Sequence, residues 1–130
     1  MQISIQLDGM QNLERIAARG QKAQRILARA LYSEGNAVLN QSKKIVPVDR
    51  GDLKDSGKVH KPSFKGSLID VDITYGGSAA EYAFIVHEDP DARHKPGKTY
   101  KYLEMPFMAH KPIFERNVRL KFVAWMLGGV

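Results

Sequence analysis

The sequence predicts an α+β domain: a long amino-terminal helix and a carboxy-terminal helix packed on a small, mainly antiparallel β-sheet. Three observations carry this reading. Gln2–Leu7 and Leu68–Tyr75 alternate apolar and polar residues, as half-buried strands do. From Gly9 to about Lys44 the apolar period becomes that of a helix. Phe114, Val118, Phe122 and Trp125 repeat the helical period near the end of the chain. No repeat, low-complexity tract or linker divides the 130 residues, so residues 1–130 read as one domain.

In the first strand Ile3, Ile5 and Leu7 share one face, and Gln2, Ser4 and Gln6 the other. Asp8 then stands where an N-cap belongs, with Gln11 three residues on at capping-box spacing. Leu13, Ile16, Gly20, Leu27, Leu31, Val38 and Ile45 form one stripe of the helix that follows. Pro47 sets its end, because proline disfavours helical backbone in the residue before it. Unbroken, such a helix is roughly 50 Å long at 1.5 Å per residue, more than a core of this size covers. Gly20 and Gly35 each cost about 1 kcal/mol relative to alanine, so each marks a bend or a close contact.

Val46–Ser56 is a connector punctuated by Pro47 and Gly51 and anchored by Leu53. A hairpin is expected next: Lys58–Phe64, a turn through Lys65, Gly66 and Ser67, then Leu68–Tyr75. In its second strand Ile69, Val71, Ile73 and Tyr75 face inward, while Asp70, Asp72 and Thr74 face out. Pro62 cannot donate to a ladder, which makes its strand an edge or a bulged one. Tyr82–His87 fits two readings, since Tyr82, Phe84 and Val86 alternate while Ala79, Tyr82, Ala83 and Val86 share a helical face. Asp89–Lys98 reads as a polar loop, Pro112 as the start of the final helix, and Gly128-Gly129 as its end.

The bulk chemistry narrows the function. With no cysteine, a disulfide framework and a thiolate metal site are both excluded. The first residues, MQISIQLDGM, lack the basic and apolar regions of a signal peptide, and no apolar run reaches the ~20 residues of a membrane span. A net charge of +6 fits an acidic partner, nucleic acid or a solvated basic face. Arg15, Arg19, Lys22, Arg25 and Arg29 gather on the polar side of the first helix, with Ile26 among them.

Candidate chemistry is thin. His87, Glu88, Asp89, Asp91 and His94 are metal-ligand types within eight positions, but a proline-containing loop separates the histidines and no HExxH spacing occurs. No bound metal or other cofactor is therefore expected. There is no GxSxG elbow, and Gly76-Gly77 lacks the context of a phosphate loop. Catalytic residues are not expected. The alternative from another class is a basic nucleic-acid-binding or ribonuclease-like module. In it the KTYKY stretch at Lys98–Tyr102 would stack bases, with His87, Arg93 and His94 as acid/base groups.

Four features in order resemble the tail-completion and head–tail joining proteins of long-tailed bacteriophages, a family of neck and minor capsid proteins. A long amino-terminal helix leads into Pro47, Val48, Asp49, Gly51, Leu53 and Ser56, with Arg50 where the family usually has threonine. An alternating strand then enters a glycine-containing turn. Tyr82, Ala83, Val86, His87 and Glu88 form the third feature. His94 and Gly97, then Tyr102-Leu103-Glu104 before a terminal helix, form the last. The resemblance covers most of the chain.

It implies a structural virion protein without catalytic residues, made in the host bacterial cytoplasm and found at the neck or top of the tail. It covers tail completion, tail termination and head–tail joining alike. A ring-shaped homo-oligomer, a hexamer by family resemblance, would meet head-completion or adaptor proteins and tail-tube or terminator proteins. DNA would be passing cargo only, and no membrane is involved. The interface residues expected on this reading are Arg15, Arg19, Lys22, Ile26 and Arg29 of the first helix. His87, Asp89, Arg93, His94 and Lys98 would join them from the loop, and Phe122 and Trp125 from the apolar end of the chain.

Overall fold

The computed structural model describes residues 1–6, 13–47, 52–66, 68–76, 80–90, 98 and 101–128. Along them run β1 (Gln2–Gln6), α1 (Leu13–Ala17), α2 (Gln21–Ile45), α3 (Asp52–Asp55) and β2 (Lys58–Val59). Then come β3 (Ser63–Lys65), β4 (Leu68–Thr74), α4 (Ala80–Glu88) and α5 (Glu104–Met126). The architecture is α+β, with both long helices and an antiparallel sheet. The Asp8 cap and the connector residues 48–51 lie outside the described residues.

β4 is the centre of the sheet. β1 pairs with it along one side, and β2 and β3 share the other. Ile69, Val71 and Ile73 of β4 are fully buried, and Tyr75 continues the row. Ile3 stands opposite Ile73 and Ile5 opposite Val71, so the two alternating strands present one apolar face together. Pro62 makes its strand both an edge and a bulge. The chain advances four residues from Val59 to Ser63 while its partner retreats three, from Ile73 to Asp70. The hairpin closes where Lys65 faces Leu68, with Gly66 at φ +61°, a conformation glycine adopts without steric cost.

The expected single rod is two helices. Gly20, at φ +143°, breaks it into the short α1 and the 25-residue α2, about 37 Å long. Gly35 is the close contact. A methyl group there would lie 3.1 Å from Val59 Cγ1 and 3.2 Å from Val71 Cγ1, so the helix rests directly on the sheet. At the far end Val46 is extended at ψ 134°, as a residue before proline should be.

The doubtful segment resolves as α4. A strand would have buried Phe84 beside Val86, but Ala83 and Val86 are inside and Phe84 is 56% exposed. The final helix departs from expectation: α5 begins at Glu104 and carries Pro112 in its interior. Pro112 and Ile113 are exposed, so the hydrogen bond the proline omits falls on the solvent side, where water can satisfy the freed Met108 carbonyl. α5 runs antiparallel to α2. Glu34 meets His110 early in α5, and Arg29 meets Trp125 near its end.

Candidate functional site

Two ends of the molecule and one interior network hold the side chains of interest. At the first end, the Gly20 break opens a cleft of about 380 Å³ between the α1–α2 joint and the last turns of α5. Ile16, Ala23, Phe122, Val123, Met126 and Leu127 line it, and Arg19 and Lys22 complete the wall as exposed cations. Arg29 lays its guanidinium over the Trp125 ring, 4.1 Å from the centroid, and so ties α2 to α5 by a cation–π contact. Of the residues expected to form an interface, Arg19, Lys22 and Phe122 meet at this cleft. Arg29 and Trp125 meet beside it. Arg15 is exposed on α1, and Ile26 is half-buried.

The second end is built around His87, and here an expectation needs correcting. His87 is 1% exposed, so its ring serves the subunit's interior and offers no face to a neighbour. Its Nε2 accepts the Glu104 backbone N–H at 3.2 Å, which satisfies one of the orphan donors where α5 begins. Nδ1 therefore carries the proton and donates to Glu88 Oε1 at 3.1 Å. The ring also meets Tyr102 edge-on, centroids 4.9 Å apart. Burial lowers the His87 pKa below 6.5 and outweighs the opposing pull of Glu88.

Lys101 clamps this end. Its ammonium bridges Glu88 and Glu104, and its backbone N–H donates to the His87 carbonyl at 2.6 Å. These bonds hold Lys101 at φ +54°, where a residue with a Cβ is uncommon. The Lys101 bond and then the His87 bond lower the Glu88 pKa, while Glu88 and Glu104 raise that of Lys101. Asp89 is half-buried and ends α4 with its N–H on the Ile85 carbonyl at 3.1 Å. Lys98 donates to the Lys44 carbonyl at 2.9 Å, a cation placed at the negative end of α2. Arg93 and His94 lie outside the described residues.

The interior network was not anticipated from the sequence. Glu34 of α2 is 1% exposed and accepts from three groups of α5: His110 Nε2 at 2.9 Å, Asn117 Nδ2 at 2.8 Å, and Lys121 Nζ. Burial alone would raise its pKa. The three hydrogen bonds and the Lys121 charge outweigh that, and the carboxyl lies below the ordinary 4.5. A signal was present: Leu27, Leu31, Glu34 and Val38 share one helical register, and so do His110, Phe114, Asn117 and Lys121.

These groups act as clamps between elements. Among the described residues no three His, Cys, Asp or Glu side chains come together as metal ligands. Ser42 and the Tyr75 hydroxyl pair at 2.7 Å, and burial pushes Tyr75 up to about 12, partly offset by that bond, so it stays protonated. Large apolar side chains are also open to partners. Phe84 and Ile85 protrude from α4, and Met105, Met108, Leu120, Val123 and Leu127 protrude from α5. No helix among the described residues is long and apolar enough to cross a membrane. No family model, curated protein or solved structure matches this chain.

Proposed function

We propose that the chain is a structural subunit of a tailed bacteriophage that forms a ring at the neck or upper tail, in the tail-completion, terminator or head–tail joining role. In the virion its partners are further copies of itself, head-completion or adaptor proteins on one side, and tail-tube or terminator proteins on the other. It acts without a cofactor and catalyses no reaction. The order of the four sequence features described above supports the phage assignment.

The observation that carries the assembly role is the placement of exposed large apolar side chains. Phe84 and Ile85 stand out at one end of the molecule, and Val123, Met126 and Leu127 at the other. Monomeric proteins scatter such residues singly, whereas clusters mark surfaces made to be covered. Two separated clusters suit a subunit with a neighbour on each side.

Negative-stain microscopy with light scattering on the concentrated protein tests this reading, with rings of fixed diameter as the expected result. A chain that stayed monomeric and bound nucleic acid with a steep salt dependence would instead be the basic nucleic-acid-binding module.

A further inference from the structure

The two edges of the sheet are built differently. β2 and β3 form one edge, and Lys58, Lys61, Pro62 and Lys65 run along it with the bulge between Val59 and Ser63. Lysine, proline and bulges are the devices that keep a foreign strand from pairing with an edge. β1 forms the other edge, bonded to β4 alone. Its sequence, QISIQ, holds no charge, proline or glycine, and its register with β4 runs unbroken from Gln2 to Gln6. This edge is unguarded.

The ladder shows which backbone groups β1 leaves open. Met1 and Tyr75 exchange both backbone bonds, at 3.1 and 2.9 Å. Bonded and non-bonded pairs alternate in an antiparallel ladder, so Ile3 and Ile5 bond β4 in turn. The N–H and C=O groups of Gln2, Ser4 and Gln6 then point away from it. The far flank of β4 agrees, since Asp72, opposite Ser4, accepts the His60 N–H there at 2.8 Å. Among the described residues no strand pairs with the open side of β1.

A cleft of about 200 Å³ lies against that side. Ser4, Ile5 and Gln6 line it together, which places it at the strand's edge, because consecutive residues face opposite sides of a sheet. Phe107 and Phe114 of α5 form its other wall. Ile3, next along the apolar face from Ile5, is only half-buried.

The sequence of β1 selects the occupant, for Gln-Ile-Ser-Ile-Gln reads the same in both directions. We propose that β1 pairs with β1 of a second copy of this chain, antiparallel about a two-fold axis at Ser4, so that two sheets become one. Gln2 faces the partner's Gln6, Ile3 faces the partner's Ile5, and Ser4 faces the partner's Ser4. In that register every outward backbone group of either strand meets its complement. Each Ile3 gains cover beside the partner's Ile5, Phe107 and Phe114. The contact is isologous, so it joins two subunits, or two rings back to back, and goes beyond the ring reading above.

Backbone amide exchange followed by NMR on the unchanged protein tests the contact. Raising the concentration through the dimer transition seen by light scattering should slow the Ser4 amide about tenfold. The Ile3 and Ile5 amides, already bonded to β4, should keep their rates. Gln2→Lys with Gln6→Lys sets like charges opposite each other across the axis, at exposed positions, and should weaken dimerisation about tenfold at low salt. Gln2→Glu with Gln6→Lys sets opposite charges there and should restore it.

A protein that stays monomeric as concentration rises would overturn the proposal. Oligomers whose Ser4 amide exchanges as fast as the monomer's would remove this contact while the ring reading stood. Equal weakening by both double variants would exclude the antiparallel register about Ser4.

Discussion

Replacing Glu34 tests how α2 and α5 are held together. The carboxylate receives His110, Asn117 and Lys121 in a buried position. Removing one member of a buried ion pair costs about 3–5 kcal/mol when its partner is stranded. Here the Lys121 and His110 side chains are 31% and 18% exposed and regain water, which moves the expectation for Glu34→Ala to about 3 kcal/mol. Glu34→Gln keeps an acceptor oxygen and loses the charge, so it should cost about 1–2 kcal/mol. Urea unfolding followed through Trp125, the only tryptophan, reads both values.

The pH dependence gives a second reading with a definite sign. The folded pKa of Glu34 lies below the ordinary 4.5, so its contribution is present above that value. It is lost as pH falls from there through the folded pKa. Other carboxylates titrate in the same window, so the measured quantity is the difference between wild type and Glu34→Gln, which should shrink on acidification. If Glu34→Ala unfolds within about 0.5 kcal/mol of wild type, or the difference is flat with pH, the network does not hold the helices together.

Two further perturbations address other contacts. His87→Ala should cost about 2 kcal/mol through loss of the bond to Glu104 and of ring packing. Because its folded pKa is lowered, wild type should lose stability as pH falls below 6.5, and a variant with the same pH profile would refute the neutral-ring assignment. Gly35→Leu should lower stability by about 3 kcal/mol, since its Cβ already crowds Val59 and Val71. Gly35→Ala should change little, the helical gain of about 1 kcal/mol offsetting the crowding. An unchanged melting temperature for Gly35→Leu would mean that the helix does not rest on the sheet.

Much of the fold was legible because its signals are local. Alternation marked β1 and β4, Pro62 marked the bulge, and the two helical glycines marked a break and a close contact. Pro112 misled for a physical reason: a proline inside a helix forgoes one hydrogen bond, and here the position faces solvent, where water can take the freed carbonyl. Helix and strand patterns coincide over Tyr82–His87, and only burial of Ala83 and Val86 separates them.

The site was less legible. His87 looked like a loop residue because a sequence does not reveal that its ring closes the end of another helix. Glu34 was overlooked because charge suggested solvent, although its register matched the apolar stripe. The basic residues of the first helix were visible, but the cleft depends on α5, which no local pattern links to them: Phe122, Val123 and Met126 meet Ile16 and Ala23 only through the tertiary fold.

The central position of β4 has a kinetic consequence. Gln2 must find Thr74, so β1 leaves the ribosome about seventy residues before the strand that completes it. Until then its alternating face has no partner strand, and α2 has no sheet to rest on. β4 brings its own hairpin partner β3 and precedes α5, so the chain order lets the sheet close on α2 before the last helix arrives to cover it.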